Sequence, residues 1–108
     1  MRIIIDRDAV CAGDDMNHHR EEFVVPDDIT IAGLFEFLEF KYIPVIARNN
    51  VVWALYHQDV EVGTYFTKIQ SFINGNMSLS SIINNSERDN TFYLRYYSHP
   101  DRYRKRFI

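Results

Sequence analysis

The chain has few of the sequence features that cross-link small secreted domains through disulfides or that anchor proteins in membranes. Cys11 is the one cysteine among 108 residues, so no internal disulfide can form. The longest apolar runs are only a few residues, far below the ~20 that a membrane-spanning helix needs. Because no charged and then apolar leader precedes Ile3, we expect a cytoplasmic protein that has no contact with membranes.

Motifs for nucleophilic and phosphate chemistry are missing as well. There is no Gly-x-Ser-x-Gly elbow and no phosphate-binding loop, and the chain has only four glycines. Cys11 beside one of the four histidines would be the one conceivable nucleophile, but a single cysteine at a strand end is typically a small buried hydrophobe. We therefore predict no catalytic residue and no cofactor, with a small metal- or cysteine-dependent enzyme as an alternative.

Aromatic residues, in contrast, are abundant. The chain has eight Phe, seven Tyr and one Trp within an apolar fraction of 46%. A chain of this length forms a single domain, which we assign to residues 1–108, and one small core rarely absorbs so many rings. Some aromatic surface is therefore expected to be exposed or to lie in an interface.

The segment from Pro26 to Leu38 predicts a strand, a turn and a helix in succession. Residues 23–25 are typical of a strand, Pro26 ends it, and Thr30 is a suitable N-cap. The helix, expected over 31–42 and ended by Pro44, has an apolar stripe made of Ile31, Leu34, Phe35 and Leu38.

Further strands and turns are predicted on either side of this helix. Strands are expected near 2–10, 20–25, 51–57, 61–68 and 91–98, with a turn at Gln58-Asp59. Ser78 is expected to cap a short helix, and Pro100 to begin a final helical turn or short helix. The fold class is therefore α+β.

This order of elements, together with VPDDITIAGLFEFL at 25–38, resembles the ubiquitin-like β-grasp superfamily. The resemblance implies a mixed sheet of four to five strands packed on one main helix, with a short second helix and the last strand beside the first. It covers a core of about 1–98, followed by a C-terminal extension of 99–108. Ubiquitin-like modifiers end in Gly-Gly, whereas this chain ends in RKRFI, so the resemblance implies a scaffold that binds partners.

Charge is distributed unevenly along the chain, whose net charge is −3. Ten acidic and three basic residues lie within 1–40, against nine basic and five acidic residues within 41–108. The two groups either neutralise one another across the surface or leave a separate acidic patch.

Carboxylates and imidazoles of the first hairpin are metal-ligand types, but their spacing matches no known site, so we predict no metal. These residues are Asp6, Asp8, Asp14, Asp15, His18, His19, Glu21 and Glu22.

The C-terminal segment 92–107 interleaves aromatic residues with arginine, as nucleic-acid-binding surfaces do. Alternation along a strand gives another interpretation, in which Tyr93, Arg95 and Tyr97 share the sheet face opposite the helix. This face is either an open interaction surface or is covered by a tail that folds back through Tyr103.

We predict a non-enzymatic protein-binding module, in a more specific form an inhibitor or immunity-type protein. The predicted partner-binding residues are Asp14 and Asp15 in the acidic hairpin and Tyr93, Arg95 and Tyr97 on the sheet. The partner is another protein of unknown identity. A nucleic-acid-binding protein that uses the basic and aromatic C-terminal segment is the alternative.

Overall fold

A computed structural model describes residues 1–11, 13 and 18–106, without the side chain of Ile46. The predicted α+β class is confirmed: over these residues, a six-stranded mixed sheet carries three helices. The strands are β1 (Arg2–Arg7), β2 (Glu21–Val24), β3 (Val52–His57), β4 (Val60–Phe66), β5 (Ser71–Ile73) and β6 (Thr91–Tyr97). The helices are α1 (Ile31–Lys41), α2 (Leu79–Asn84) and α3 (Pro100–Lys105), with a 3₁₀ turn at Val45–Ala47.

The sheet has the strand order β2-β1-β6-β3-β4-β5. β6 pairs in parallel with β1 and antiparallel with β3, so the last strand lies beside the first, as predicted. The expected four to five strands are too few, because β5 adds an edge strand next to β4. Its three residues are too short a segment to show the alternation that marks a strand.

Helix α1 begins where capping predicts. The Thr30 hydroxyl oxygen accepts a hydrogen bond from the Gly33 amide at 3.1 Å, a contact that typically contributes about 1 kcal/mol. The Ile31 amide donates to the Met77 carbonyl and the Ala32 amide to the Gly75 carbonyl, both at 2.9 Å. The loop before α2 therefore satisfies amide groups that a helix start otherwise leaves without partners.

The main core lies between the sheet and α1. The predicted stripe of Ile31, Leu34, Phe35 and Leu38 is fully buried against the inner sheet face. Trp53 of β3 is also fully buried, and its indole nitrogen donates to the Ala47 carbonyl at 3.0 Å. This burial provides the main stabilisation of the fold and leaves the outer sheet face to other contacts.

Candidate functional site on the outer sheet face

The short helix α3 covers one half of the outer sheet face. Its Tyr103 is 3% exposed and packs with Val52 and Ala54 of β3, which are fully buried. The Tyr103 ring makes edge-on contacts with Phe66 at 5.4 Å and with Tyr97 at 5.3 Å between centroids. The second of the two expected arrangements, a tail that folds back, is therefore found over β3, β4 and the end of β6.

A polar network fixes this helix to β4. The Tyr103 hydroxyl donates to Glu61 Oε2 at 2.7 Å, and the Arg106 guanidinium forms an ion pair with Glu61 at 2.5 Å. Arg106 also lies 4.0 Å from the Tyr103 ring centroid and donates to the hydroxyls of Tyr56 and Tyr97. Arg106 thus links the covered half of the face to the open half.

Tyr56, Tyr93 and Arg95 form the centre of the open half, which we call the Tyr–Arg face. Tyr56 of β3 and Tyr93 of β6 are register partners, so their side chains emerge side by side on the same surface. The Arg95 guanidinium lies 5.4 Å from the Tyr56 ring centroid, and Tyr93 is 37% exposed. These three residues and Asp59 line a depression of about 370 Å³.

Asp8 holds the Tyr93 ring in place. Its carboxylate accepts the Tyr93 hydroxyl at 2.6 Å and the Tyr96 amide at 2.8 Å, just beyond the end of β1. Burial, then the hydrogen bond to Asp8 and the negative charge of Asp8, raise the pKa of Tyr93 well above its usual range. The hydrogen bond to Asp8 pre-organises the Tyr93 ring for contact.

A second depression of about 270 Å³ adjoins the first and shares Tyr56, Asp59 and Tyr93 with it. The backbone of Gln58 and Asp59 is left-handed at both positions, as the two-residue turn between β3 and β4 requires. Asp89 accepts the Thr91 amide at 2.9 Å and the Gln58 amide group at 3.2 Å, which holds the pKa of Asp89 below its usual range. Carboxylates thus surround the Tyr–Arg face at this end.

Only some of the predicted binding residues lie on the Tyr–Arg face of the described structure. Tyr93 and Arg95 lie on the Tyr–Arg face, as alternation along β6 predicts. Tyr97 shares their side of the strand but lies beneath α3, where it contacts Tyr103. Asp14 and Asp15 lie outside the described residues.

Sequence reasoning missed Tyr56, Asp59 and Asp8 as parts of this site. The alternation of Val52, Ala54 and Tyr56 signals one strand face, but not which strand lies beside it. The neighbours follow from the pairing of β3 with β6, a contact between distant segments.

The expectation that Cys11 is buried is wrong. β1 ends at Arg7 rather than near residue 10, so Cys11 lies in the following loop and its side chain is exposed. Within the described residues, no three His, Cys, Asp or Glu side chains come close enough to hold a metal ion.

Comparisons with known proteins give no relative for this arrangement: no family model matches the chain, and no curated protein or solved structure is detectably similar to it. Among the described residues, none of the helices has the length and apolar character needed to traverse a lipid bilayer.

Proposed function

We propose that this protein is a non-enzymatic binding module, active in the cytoplasm, that recognises a partner protein through the Tyr–Arg face. The observation that carries the proposal is the pairing of Tyr56 with Tyr93 beside Arg95 on the two adjacent strands β3 and β6. Tyrosine and arginine are enriched among residues that contribute most to protein interfaces, because each combines a large apolar surface with a polar end.

Rigid placement supports this proposal. Strand β6 is paired on both sides, Asp8 fixes the Tyr93 hydroxyl, and Arg106 donates to the Tyr56 hydroxyl at 2.9 Å. A side chain that is already ordered in the free protein loses less conformational entropy on binding. A partner could therefore gain affinity from a small number of contacts.

The surrounding charges favour a partner with basic groups. Asp6, Asp59 and Asp89 line the two depressions together with Arg20 and Arg95. Carboxylates at the rim of an interface mainly speed association with a positively charged surface. This supports the more specific proposal of an inhibitor or immunity-type protein that covers a basic active site.

The ubiquitin-like β-grasp fold is part of the same proposal. The order β2-β1-β6-β3-β4, with α1 after the second strand, supports it, and β5 is then an additional edge strand. The resemblance implies a scaffold that binds partners, although fold alone does not determine function.

The charges of the C-terminal segment give nucleic-acid binding less support than protein binding. Arg106 pairs with Glu61, and Arg104 lies 3.7 Å from Asp101, so part of the positive charge is neutralised within the protein. Phosphate contacts depend on cations that are available to the backbone of the nucleic acid.

The test is affinity capture from a nuclease-treated extract, followed by calorimetry with the purified partner. We expect Tyr93→Ala with Arg95→Ala to weaken binding roughly 30-fold or more, as loss of a hot spot of about 2 kcal/mol implies. The matched control is Val45→Ala with Arg102→Ala, which alters an exposed apolar residue and an exposed arginine elsewhere. Equal weakening by both pairs, or none by the first in a folded protein, would refute the proposal.

A further inference from the structure

A separate pocket of about 390 Å³ opens between α1, strand β4 and the edge strand β5. It lies on the helix side of the sheet and shares no residue with the Tyr–Arg face. Six residues line it, two of them acidic and three aromatic: Glu36, Glu39, Phe40, Tyr65, Gln70 and Phe72. Its volume is at the lower end of the range for small-ligand sites.

Aromatic rings form a rigid wall of this pocket. Tyr65 and Phe72 stack with centroids 4.7 Å apart and planes 10° apart, and Phe35 packs at 5.4 Å from Tyr65. Phe40, one helical turn after Glu36, is 79% exposed. An exposed ring of this size beside a partly open aromatic wall offers π surface that the core does not use.

The acidic residues add negative charge to these rings. Glu36 and Glu39 lie at i and i+3 on α1 and therefore on one side of the helix. Neither carboxylate forms an ion pair with any of the residues that the structure describes. Burial first, and then the hydrogen bond and negative charge of Glu39, raise the pKa of Tyr65 to about 12. The charge of the two carboxylates thus acts directly on the pocket.

We propose that this pocket binds an alkylammonium cation, namely the side chain of a lysine presented by a partner protein. Aromatic rings attract such a cation through their negative faces, and the carboxylates of Glu36 and Glu39 neutralise its charge. The rings of Tyr65 and Phe72 contact the methylene groups of the lysine side chain. A small metal ion fits less well, because it requires more oxygen ligands than two carboxylates supply.

The experiment is an NMR titration of the full chain with three probes. These are tetramethylammonium chloride, Nα-acetyl-lysine N-methylamide, and the same lysine derivative acetylated on its side-chain nitrogen, which has no charge. We expect the two cations to cause saturable shift changes at Phe40, Tyr65 and Phe72, and the neutral probe to cause none.

Variants then separate the pocket from general attraction to an acidic protein. Glu36→Gln with Glu39→Gln should weaken cation binding at least tenfold, and Phe40→Ala should weaken it several-fold. The control Glu87→Gln removes an exposed carboxylate that lies in the turn after α2 and does not line the pocket, so it should leave binding unchanged. Glu36 and Phe40 are exposed, so these changes should preserve the fold, which a thermal melt checks.

Several results would overturn the proposal. These are shifts that do not saturate, shifts spread over all acidic residues, equal binding of the neutral probe, and a loss of binding in Glu87→Gln. The guanidinium ion as a fourth probe must bind more weakly than the ammonium probes, or the site is not one for lysine. Tyr93→Ala should bind these probes like the wild type, so the test is independent of the Tyr–Arg face.

Discussion

Removing the hydroxyl of Tyr103 should weaken the docking of α3 on the outer sheet face. The side chain is 3% exposed, donates to Glu61 at 2.7 Å and lies 3.3 Å from the Thr64 hydroxyl. In Tyr103→Phe the ring contacts with Phe66 and Tyr97 remain, but Glu61 loses a hydrogen-bond donor. The substitution therefore isolates the polar part of the docking contact.

The expected cost follows from the type of hydrogen bond. A bond to a charged acceptor typically contributes about 1.5–3 kcal/mol, and the 22% exposure of the Glu61 side chain favours the lower end. Tyr103→Ala also removes the ring, which raises the cost to about 3–5 kcal/mol. At roughly 4 °C per kcal/mol, the melting temperature should fall by about 6 °C for Tyr103→Phe and by about 12–20 °C for Tyr103→Ala.

Thermal unfolding followed by circular dichroism measures both changes. Tyr93→Phe is the matched control, because it removes the hydroxyl of an exposed tyrosine that also donates to a carboxylate, Asp8. Its melting temperature should change by less than that of Tyr103→Phe. If Tyr103→Ala melts within about 3 °C of the wild type, α3 does not stabilise the sheet and the described docking is wrong.

Two further predictions concern the contact between α1 and the sheet. Gly63→Ala should destabilise the protein by about 1–3 kcal/mol in denaturant unfolding, because a Cβ at this position would lie 2.7 Å from Cγ2 of the fully buried Ile31. Gly13→Ala is the control, since its Cβ would meet no atom of the described residues within 4 Å, and an equal effect of both changes would contradict the packing. Tyr65, whose pKa is raised from 10.0 to about 12, contributes stability that is complete below pH 10 and is lost as the pH rises towards 12. Glu39→Gln should lower this pKa without restoring it to 10.0, because burial contributes most, and an unchanged ultraviolet phenolate titration would refute that role of Glu39.

Local rules predicted the parts of the fold that depend on nearby residues. The start of α1 follows from Thr30, whose side chain accepts a hydrogen bond from the amide three residues along and so caps the helix. The buried stripe follows from helical periodicity. The turn at Gln58 and Asp59 was predicted from the residues between two alternating segments, and both have the left-handed backbone that such a turn needs.

Contacts between distant segments could not be derived in this way. The sequence places Tyr97 on the same strand face as Tyr93, but the position of Tyr103 over Tyr97 depends on how α3 returns to the sheet. Likewise, the role of Asp8 follows from the parallel pairing of β1 with β6, which brings it to Tyr93. The sequence therefore predicts the types of residue in the candidate site, but only some of the individual residues that form it.

The central position of β6 has a consequence for how the chain folds during synthesis. Ile4 of β1 pairs with Thr91 of β6, and Leu55 of β3 pairs with Leu94 of β6, so in the described sheet β6 is the strand that joins the hairpin β1–β2 to the strands β3–β5. Until β6 leaves the ribosome, the edges of β1 and β3 that it covers in the finished sheet remain unpaired, in addition to the outer edges of β2 and β5. Such edges promote association with other chains, and closing contacts of this sequence separation is slow. The sheet is therefore expected to form only once β6 has been synthesised, and truncation before Thr91 should yield an aggregating chain instead of a smaller domain.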